Sequence, residues 1–124
     1  MPHHHKNLIV WQQARRLAVA VYHVTSKFPS VEQFGLVAQS RRAGVSILSN
    51  ISEGAARGTD KEFRQFLYTA RGSAAELEAQ LLVASDLGYI SDDEALLSDI
   101  AEIGRLLNGL ISATNRRVSS RANT

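Results

Sequence analysis

Residues 59–88 read TDKEFRQFLYTARGSAAELEAQLLVASDLG and show a clear helical pattern. Its apolar residues recur at spacings of three and four, as they do on one face of an α-helix. Thr59 and Glu62 have the spacing of a capping box at a helix start, and Gly88 is a natural cap at a helix end. The predicted core face consists of Phe63, Phe66, Leu67, Ala70, Ala74, Leu77, Leu81 and Ala84. The stretch therefore predicts one long amphipathic helix.

Three further segments show the same period, two before this stretch and one after it. The first covers residues 7–27. Capping-box spacings occur at Ser30 with Gln33 and at Ser91 with Glu94, where the second and fourth helices are expected to begin. The core face predicted for the second segment consists of Val37, Gly44, Leu48, Ile51 and Ala55.

The four segments are similar in length and are joined by short breaks. No segment alternates apolar and polar residues over a sustained run, so strands are not expected. Short connections force consecutive helices to lie antiparallel. The predicted fold class is therefore all-α, an antiparallel up-down-up-down four-helix bundle. We expect a single domain over residues 1–124, with an ordered core at about 7–117.

The composition excludes several classes of protein. The 124 residues contain no cysteine, so neither a disulfide framework nor thiolate chemistry is expected. The longest apolar runs are far too short for a membrane span or for the core of a signal peptide. We therefore expect a cytoplasmic protein with no membrane partner.

The formal net charge is only +2, but the charges are distributed unevenly. Residues 1–58 carry seven Lys and Arg against two Glu, whereas residues 76–102 carry eight acids. Arg116, Arg117 and Arg121 then make the tail basic. Such asymmetry is typical of a surface for an anionic partner, and equally of self-association between unlike faces. Charge alone leaves both interpretations open.

No set of reactive residues has the pattern that an enzyme needs. The glycines and the lysine of residues 54–61 lack the spacing of a phosphate-binding loop, and no predicted strand precedes them. The acids of the fourth segment lack the Glu-x-x-His pattern of di-metal bundles. We therefore expect no catalytic residue, no metal and no cofactor, and a protein that is not an enzyme.

A stripe of small polar residues lies opposite the predicted core face of the second segment, and a glycine-serine pair marks the third. Small hydroxyl and amide side chains are poor helix formers, and glycine inside a helix costs about 1 kcal/mol relative to alanine. They predict close polar packing, either inside the bundle or between subunits. A tolerant surface helix is the alternative. The packing or assembly candidates are Ser46, Ser49, Asn50, Glu53, Gly72, Ser73 and Glu76.

Two strings carry a family resemblance: QSRRAGVSILSNISEGAARG at residues 39–58 and FRQFLYTARGSAAELEAQ at residues 63–80. Over roughly residues 8–111, the chain resembles the bacterial four-helix-bundle proteins encoded in 23S rRNA intervening sequences. That family is similar in fold to the accessory variability proteins of diversity-generating retroelements. The resemblance implies a homopentameric ring of bundles. Through the retroelement relatives, it also implies a basic surface that contacts nucleic acid and a reverse transcriptase.

Two functional hypotheses follow. The first is a homo-oligomer that binds RNA or DNA mainly through phosphates, because no motif for reading base sequence is present. The second is a protein-interaction or assembly scaffold, with a reverse transcriptase or another protein as partner, in which the arginines pair across subunits. The candidate nucleic-acid contacts are Arg15, Arg16, Arg41, Arg42, Arg57, Lys61 and Arg64.

Overall fold

The computed structural model describes residues 8–91 and 94–122 of the chain. Its four α-helices are α1 at Ile9–Thr25, α2 at Ala38–Ala55, α3 at Asp60–Asp86 and α4 at Glu94–Ala122. A 3-10 turn at Ser30–Glu32 and a π-helical turn at Gln33–Val37 lead from α1 into α2. The described residues contain no strand, and the predicted all-α four-helix bundle is confirmed. The last helix continues past residue 117, the end of the expected core.

Contacts between α1 and α2 show their antiparallel arrangement. Near the start of α1, the indole Nε1 of Trp11 donates to Ser52 Oγ near the end of α2, at 2.7 Å. At the end of α1, Thr25 Oγ1 accepts from Arg41 Nε near the start of α2, at 3.0 Å. Contacts between α3 and α4, described below, show that these two helices are also antiparallel. The helices therefore run alternately up and down around one core.

The core lies between the four helices and is built mainly from aliphatic side chains. Its fully enclosed large residues include Leu17, Ile47, Ile51, Phe63, Leu67, Leu77, Leu81, Ile103 and Leu107. The core face predicted for α3 is confirmed, except that Phe66 is half-buried. Removal of this apolar surface from water is the main favourable term in folding.

Of the core positions predicted for the second segment, Val37, Gly44, Ile51 and Ala55 are buried, whereas the prediction for Leu48 is wrong. Leu48 is only half-buried, whereas Ile47 and Ile51 are completely buried. The helix packs against both α1 and α3. Its buried side combines these two isoleucines with small residues, namely Ser40, Ala43, Gly44, Gly54 and Ala55. Because small residues let two neighbouring helices approach, they mark this face as strongly as large apolar residues do.

The capping box predicted at Ser30 and Gln33 does not form. The Glu32 carboxylate instead accepts from the Leu36 backbone N–H, at 3.3 Å. Gly35 leaves the helical path, with φ −105° and ψ −112°. A backbone in this conformation interrupts the hydrogen-bond ladder that a continuous helix from residue 32 requires. The long second helix that was predicted is therefore a turn followed by a shorter α2.

The start of α3 forms as predicted. Thr59 Oγ1 accepts from the Glu62 backbone N–H at 3.2 Å and caps the helix. One of the otherwise unpaired N–H groups at the helix start is thereby satisfied. The third capping box, predicted at Ser91 and Glu94, depends on a side chain that lies outside the described part of the chain.

The end of α3 also forms as predicted, at Gly88. The backbone N–H of Gly88 donates to the carbonyl of Ser85, and that of Tyr89 donates to the carbonyl of Ala84, both at 2.9 Å. These two bonds make a Schellman motif. Gly88 has φ +79°, a left-handed conformation that glycine adopts without steric cost.

The close helix crossing predicted at Gly72 is absent within the bundle. Gly72 is exposed, and a Cβ added there would meet no atom within 4 Å. The helices α2 and α3 come close together instead at Gly54, which is buried against Phe63 and Phe66. A role for Gly72 between subunits stays a prediction.

Candidate nucleic-acid interface

The antiparallel order gathers basic residues at one end of the bundle. The end of α2, the start of α3 and the end of α4 meet there, because consecutive helices run in opposite directions. Six cationic side chains lie on these termini against three carboxylates, which belong to Glu53, Asp60 and Glu62. The cations, which we name the basic end, are Arg57, Lys61, Arg64, Arg116, Arg117 and Arg121. Segments far apart in the sequence thus contribute to one positive region.

Half of these charges are paired with carboxylates. Arg117 Nε and Arg121 Nη1 lie 3.2 and 2.9 Å from Asp60 Oδ2, whose side chain is only 9% exposed. Arg57 Nη2 lies 3.0 Å from Glu53 Oε1, one helical turn away. A guanidinium paired in this way has a weaker outward field and fewer free N–H groups. The outward field of these three arginines is therefore partly offset, with one carboxylate shared by Arg117 and Arg121.

Arg64 and Arg71 on α3 are held differently, by neutral amides of α4. Nη1 of Arg64 donates to Asn115 Oδ1 at 2.9 Å, and Nη1 of Arg71 donates to Asn108 Oδ1 at 3.1 Å. An amide oxygen orients a guanidinium without cancelling its charge. Each arginine also keeps further N–H donors for another acceptor. The two contacts additionally show that α3 and α4 are antiparallel.

Both arginines share one outward stripe of α3 with Lys61 and Tyr68. The four positions follow one another at spacings of three, four and three, so their side chains lie on one side of the helix. Tyr68 is 38% exposed, and the Arg71 guanidinium lies over its ring at 4.9 Å. No carboxylate of the described residues pairs with the three cations of the stripe. We name these residues the α3–α4 face: Lys61, Arg64, Tyr68, Arg71, Asn108 and Asn115.

Arg41 and Arg42, near the start of α2, do not join the basic end. Arg41 donates to Thr25 Oγ1 and to the Tyr22 carbonyl, and its guanidinium lies 4.5 Å from the centre of the Tyr22 ring. It therefore ties α2 to α1. Arg42 is exposed and forms no hydrogen bond or ion pair with the described residues.

Arg15 and Arg16 are exposed on α1. The Arg15 guanidinium lies 5.7 Å from the centre of the Trp11 ring, within the range of a cation–π contact. Arg16 lines a surface recess together with Asp99 and Glu102 of α4, and these acids weaken the positive potential around it. The seven predicted contacts thus fall into separate groups, and only three of them belong to the basic end.

The polar stripe of α2 lies beside the core and not opposite it. Ser46 Oγ and Ser73 Oγ are 2.9 Å apart across the contact between α2 and α3. Asn50 Nδ2 donates to both the carbonyl and the Oγ of Ser46, at 2.8 and 3.0 Å. All three side chains are half-buried. They form a small hydrogen-bonded network inside the bundle.

The other members of the predicted packing set are exposed. Ser49 points to solvent, and Glu53 pairs only within the basic end. Glu76 accepts from Gln80 Nε2 on its own helix, at 3.1 Å. Roles for these residues between subunits stay predictions.

Sequence reasoning missed Tyr68, Arg71, Asn108 and Asn115 as members of the face. One signal was available, since a seven-residue spacing places Arg64 and Arg71 on the same side of a helix. The two asparagines carry no such signal. They become partners of the arginines only because α4 packs antiparallel against α3.

The α3–α4 face carries three cations, although α3 as a whole has more acidic than basic residues. Within residues 8–91 and 94–122, no three His, Cys, Asp or Glu side chains are grouped so that they could hold a metal ion. The same part of the chain has no helix whose length and apolar character would allow it to cross a membrane.

The fold and this surface define a class of protein: small all-α bundles of four antiparallel helices with a cationic side. Residues 6–109 match the family described as 23S rRNA-intervening sequence protein, and the chain belongs to that family. A similar solved structure is that of a protein with unknown function from the S23 ribosomal protein family of Bacteroides thetaiotaomicron VPI-5482. The two chains are 27% identical with a TM-score of 0.75, over 83% of this chain and 98% of that one. No curated protein matches the chain.

Proposed function

We propose that this protein is a non-enzymatic helical bundle that binds nucleic acid through phosphates, with the α3–α4 face as its main contact. The observation that carries the proposal is the way Arg64 and Arg71 are held. Their partners are the neutral side chains of Asn115 and Asn108, so both guanidiniums are oriented and remain charged. The family's description, which refers to an intervening sequence of 23S rRNA, is in keeping with such a ligand.

The spacing of these cations suits a chain of phosphates. Arg64 and Arg71 are seven residues apart, about 10 Å along the helix axis. That distance is roughly three times the 3.4 Å rise of one nucleotide within a strand. Lys61 lies one turn before Arg64 and extends the row. Guanidinium groups bind phosphate oxygens with two parallel N–H donors, whereas lysine binds them as a point charge.

Fluorescence anisotropy with a labelled RNA and a DNA duplex tests the proposal, at about 50 mM and about 200 mM salt. Binding should be nearly indifferent to sequence and should weaken steeply as salt rises. Arg64→Gln and Arg71→Gln should each weaken binding and reduce the salt slope by about one.

The matched control is Arg105→Gln, which removes the same charge from an arginine already paired with Glu102 at 2.6 Å. This variant should bind almost as the parent does. Absence of binding at about 50 mM salt would contradict the proposal. So would an equal loss in all three variants, because that result would reflect net charge and not the α3–α4 face.

A second candidate function is assembly, which a different observation favours. Val19 and Tyr22 on α1 and Val45 on α2 are 53%, 45% and 39% exposed, and Tyr22 and Val45 line one recess. We infer that this apolar side mediates self-association, with five copies as the preferred number. Val45→Glu should reduce the mass measured by light scattering. Leu82→Glu on α3, where the native side chain is 45% exposed, should not.

Light scattering of the parent protein also separates the two candidates. A monomer at micromolar concentration would refute the assembly proposal and leave nucleic-acid binding untouched. A defined oligomer that binds neither RNA nor DNA would instead identify an assembly scaffold, in which the exposed arginines serve contacts between proteins.

A further inference from the structure

We propose that the α3–α4 face takes an unpaired strand of nucleic acid, with a base stacked at Tyr68. This inference rests on the proposed function, because the same cations would hold the backbone of the strand. It specifies the class of ligand as an unpaired strand. It also names Tyr68 as a residue that would bind by stacking and not by charge. Its basis is the position, exposure and surroundings of the Tyr68 ring.

Tyr68 lies in the middle of the cationic stripe. Arg64 precedes it by one turn and Arg71 follows it by one turn, so a strand lying along these arginines passes over the ring. The neighbouring Leu67 is fully buried and supplies the core contact at this level of α3. The Tyr68 hydroxyl makes no hydrogen bond to the described residues. The ring is 38% exposed and is therefore accessible in part at the surface.

The Arg71 guanidinium and the Tyr68 ring are two planar groups that lie side by side, and a base can stack on either. Its guanidinium lies 4.9 Å from the centre of the Tyr68 ring, while its Nη1 is held by Asn108. Unpaired bases stack on both aromatic rings and guanidinium planes. The hydrogen bond to Asn108 limits the freedom of the arginine before binding, and this reduces the entropy lost when a base is bound.

The α4 side of the face leaves room for a base. One turn to either side of Asn108 lie Gly104 and Ser112, both small. A Cβ at Gly104 would meet no atom within 4 Å, so the surface here is open. A planar group beside Tyr68 consequently meets no bulky side chain at these two positions.

Paired and unpaired nucleic acids differ in what they offer to such a site. In a duplex the bases are stacked on one another, and a protein without a groove-reading element contacts mainly the phosphates. In a single strand each base presents a free face, and stacking on an aromatic side chain adds affinity with little dependence on sequence. The Tyr68 ring should therefore favour unpaired strands, while Arg64 and Arg71 serve both forms.

Anisotropy titrations with three labelled probes test the inference: an RNA strand of roughly 16 nucleotides, a DNA strand of the same sequence, and the corresponding DNA duplex. Tyr68→Ala should weaken binding of the single strands by about fivefold or more and leave duplex binding within about twofold. Tyr68→Phe should keep the parent's single-strand affinity, because stacking requires the ring and not the hydroxyl. A higher affinity for the RNA strand or for the DNA strand identifies which of the two is the ligand, and either result supports the proposal.

Phe34→Ala is the control, since Phe34 is an aromatic residue that is 89% exposed and lies in the turn before α2, outside both the α3–α4 face and the apolar side of α1 and α2. It should leave single-strand binding unchanged; thermal melting and light scattering confirm that each variant keeps its fold and mass. The inference fails if Tyr68→Ala affects single strands and duplex equally, or neither. In that case, loss of binding in Arg64→Gln and Arg71→Gln would still uphold the proposed function. If the parent protein binds no probe, both proposals fall.

Discussion

Gly54 on α2 lies so close to Phe66 on α3 that a Cβ added at the glycine would be 2.6 Å from the Phe66 Cβ. The same added atom would lie 3.1 Å from Cδ1 of Phe63. Neither neighbour can yield easily, because the nearer atom is fixed to the α3 backbone and the other belongs to a buried ring. The absence of a side chain at Gly54 therefore sets how closely the two helices approach.

Gly54→Ala should lower the free energy of unfolding by about 1–3 kcal/mol, since the inserted methyl group forces the two helices apart. Chemical denaturation measures the change. Gly72→Ala is the control, because an added Cβ meets no atom there and alanine favours the helix by up to about 1 kcal/mol. A tolerated Gly54→Ala, with the midpoint of the parent, would show that this contact is looser than described.

Ile47→Ala should lower the free energy of unfolding by about 2–5 kcal/mol, because a completely buried side chain leaves a cavity. Leu48→Ala should cost clearly less, since Leu48 is half-buried and its truncation is partly filled by water. Urea titrations of both variants compare them directly. A larger loss at Leu48 than at Ile47 would instead support the sequence-based prediction that Leu48 belongs to the core.

Asp60→Asn should destabilise the protein by about 1–2 kcal/mol. The buried carboxylate holds both Arg117 and Arg121, and the change leaves two guanidiniums without it. This loss of stability is smaller than the loss expected when a fully buried ion pair is broken, because the side chains of Arg117 and Arg121 are 39% and 67% exposed. Glu102→Gln, which breaks an exposed pair with Arg105, should stay within about 0.5 kcal/mol of the parent. Equal melting curves for the two variants would refute a special role for Asp60.

Glu32→Gln should lower the pKa of Tyr89 toward its ordinary value. The Tyr89 hydroxyl donates to Glu32 Oε2 at 3.0 Å, and this hydrogen bond is the main cause that raises the pKa of Tyr89; burial and the nearby negative charge add to it. Absorbance titration at alkaline pH measures the change, and Tyr89→Phe identifies which tyrosine is observed. An unchanged titration curve in Glu32→Gln would contradict the assignment.

The same contact makes stability depend on pH in one direction. The neutral phenol is the form that the folded state favours, because the pKa of Tyr89 is higher in the folded than in the unfolded chain. Its contribution is fully present below the unfolded pKa of about 10 and is lost as the pH rises through the folded pKa. Parent and Tyr89→Phe should therefore differ in stability at neutral pH and converge at strongly alkaline pH. A difference that persists there would point to packing of the ring instead.

Much of the fold was predictable because its signals are local. The three- and four-residue spacing of apolar side chains identifies a helix whatever surrounds it, and the ends of α3 depend on the neighbours of Thr59 and Gly88 in the chain. The burial of Ile47 in place of Leu48 on α2 was not predicted from these signals. The buried face of α2 also includes Ser40 and Gly54, whose burial follows from packing against neighbouring helices and not from their own hydrophobicity.

The candidate site was predictable only in part. Lys61 and Arg64 were identified from charge, but charge alone could not rank them above Arg41, which is occupied by Thr25 and Tyr22. A ranking requires knowledge of the partner of each guanidinium. These partners are supplied by other helices.

Four amphipathic helices follow from the amino-acid sequence alone, since helical periodicity and capping act over a few neighbouring residues. Which arginines have a carboxylate as partner depends on the tertiary structure. The single carboxylate of Asp60 pairs with both Arg117 and Arg121 from a distant part of the chain, whereas the neutral amides of Asn108 and Asn115 orient Arg71 and Arg64 without a counter-charge. Hydrogen bonds and strong ion pairs act over only a few ångströms. The antiparallel packing of α3 on α4 brings these residues, which are distant in the sequence, within that distance.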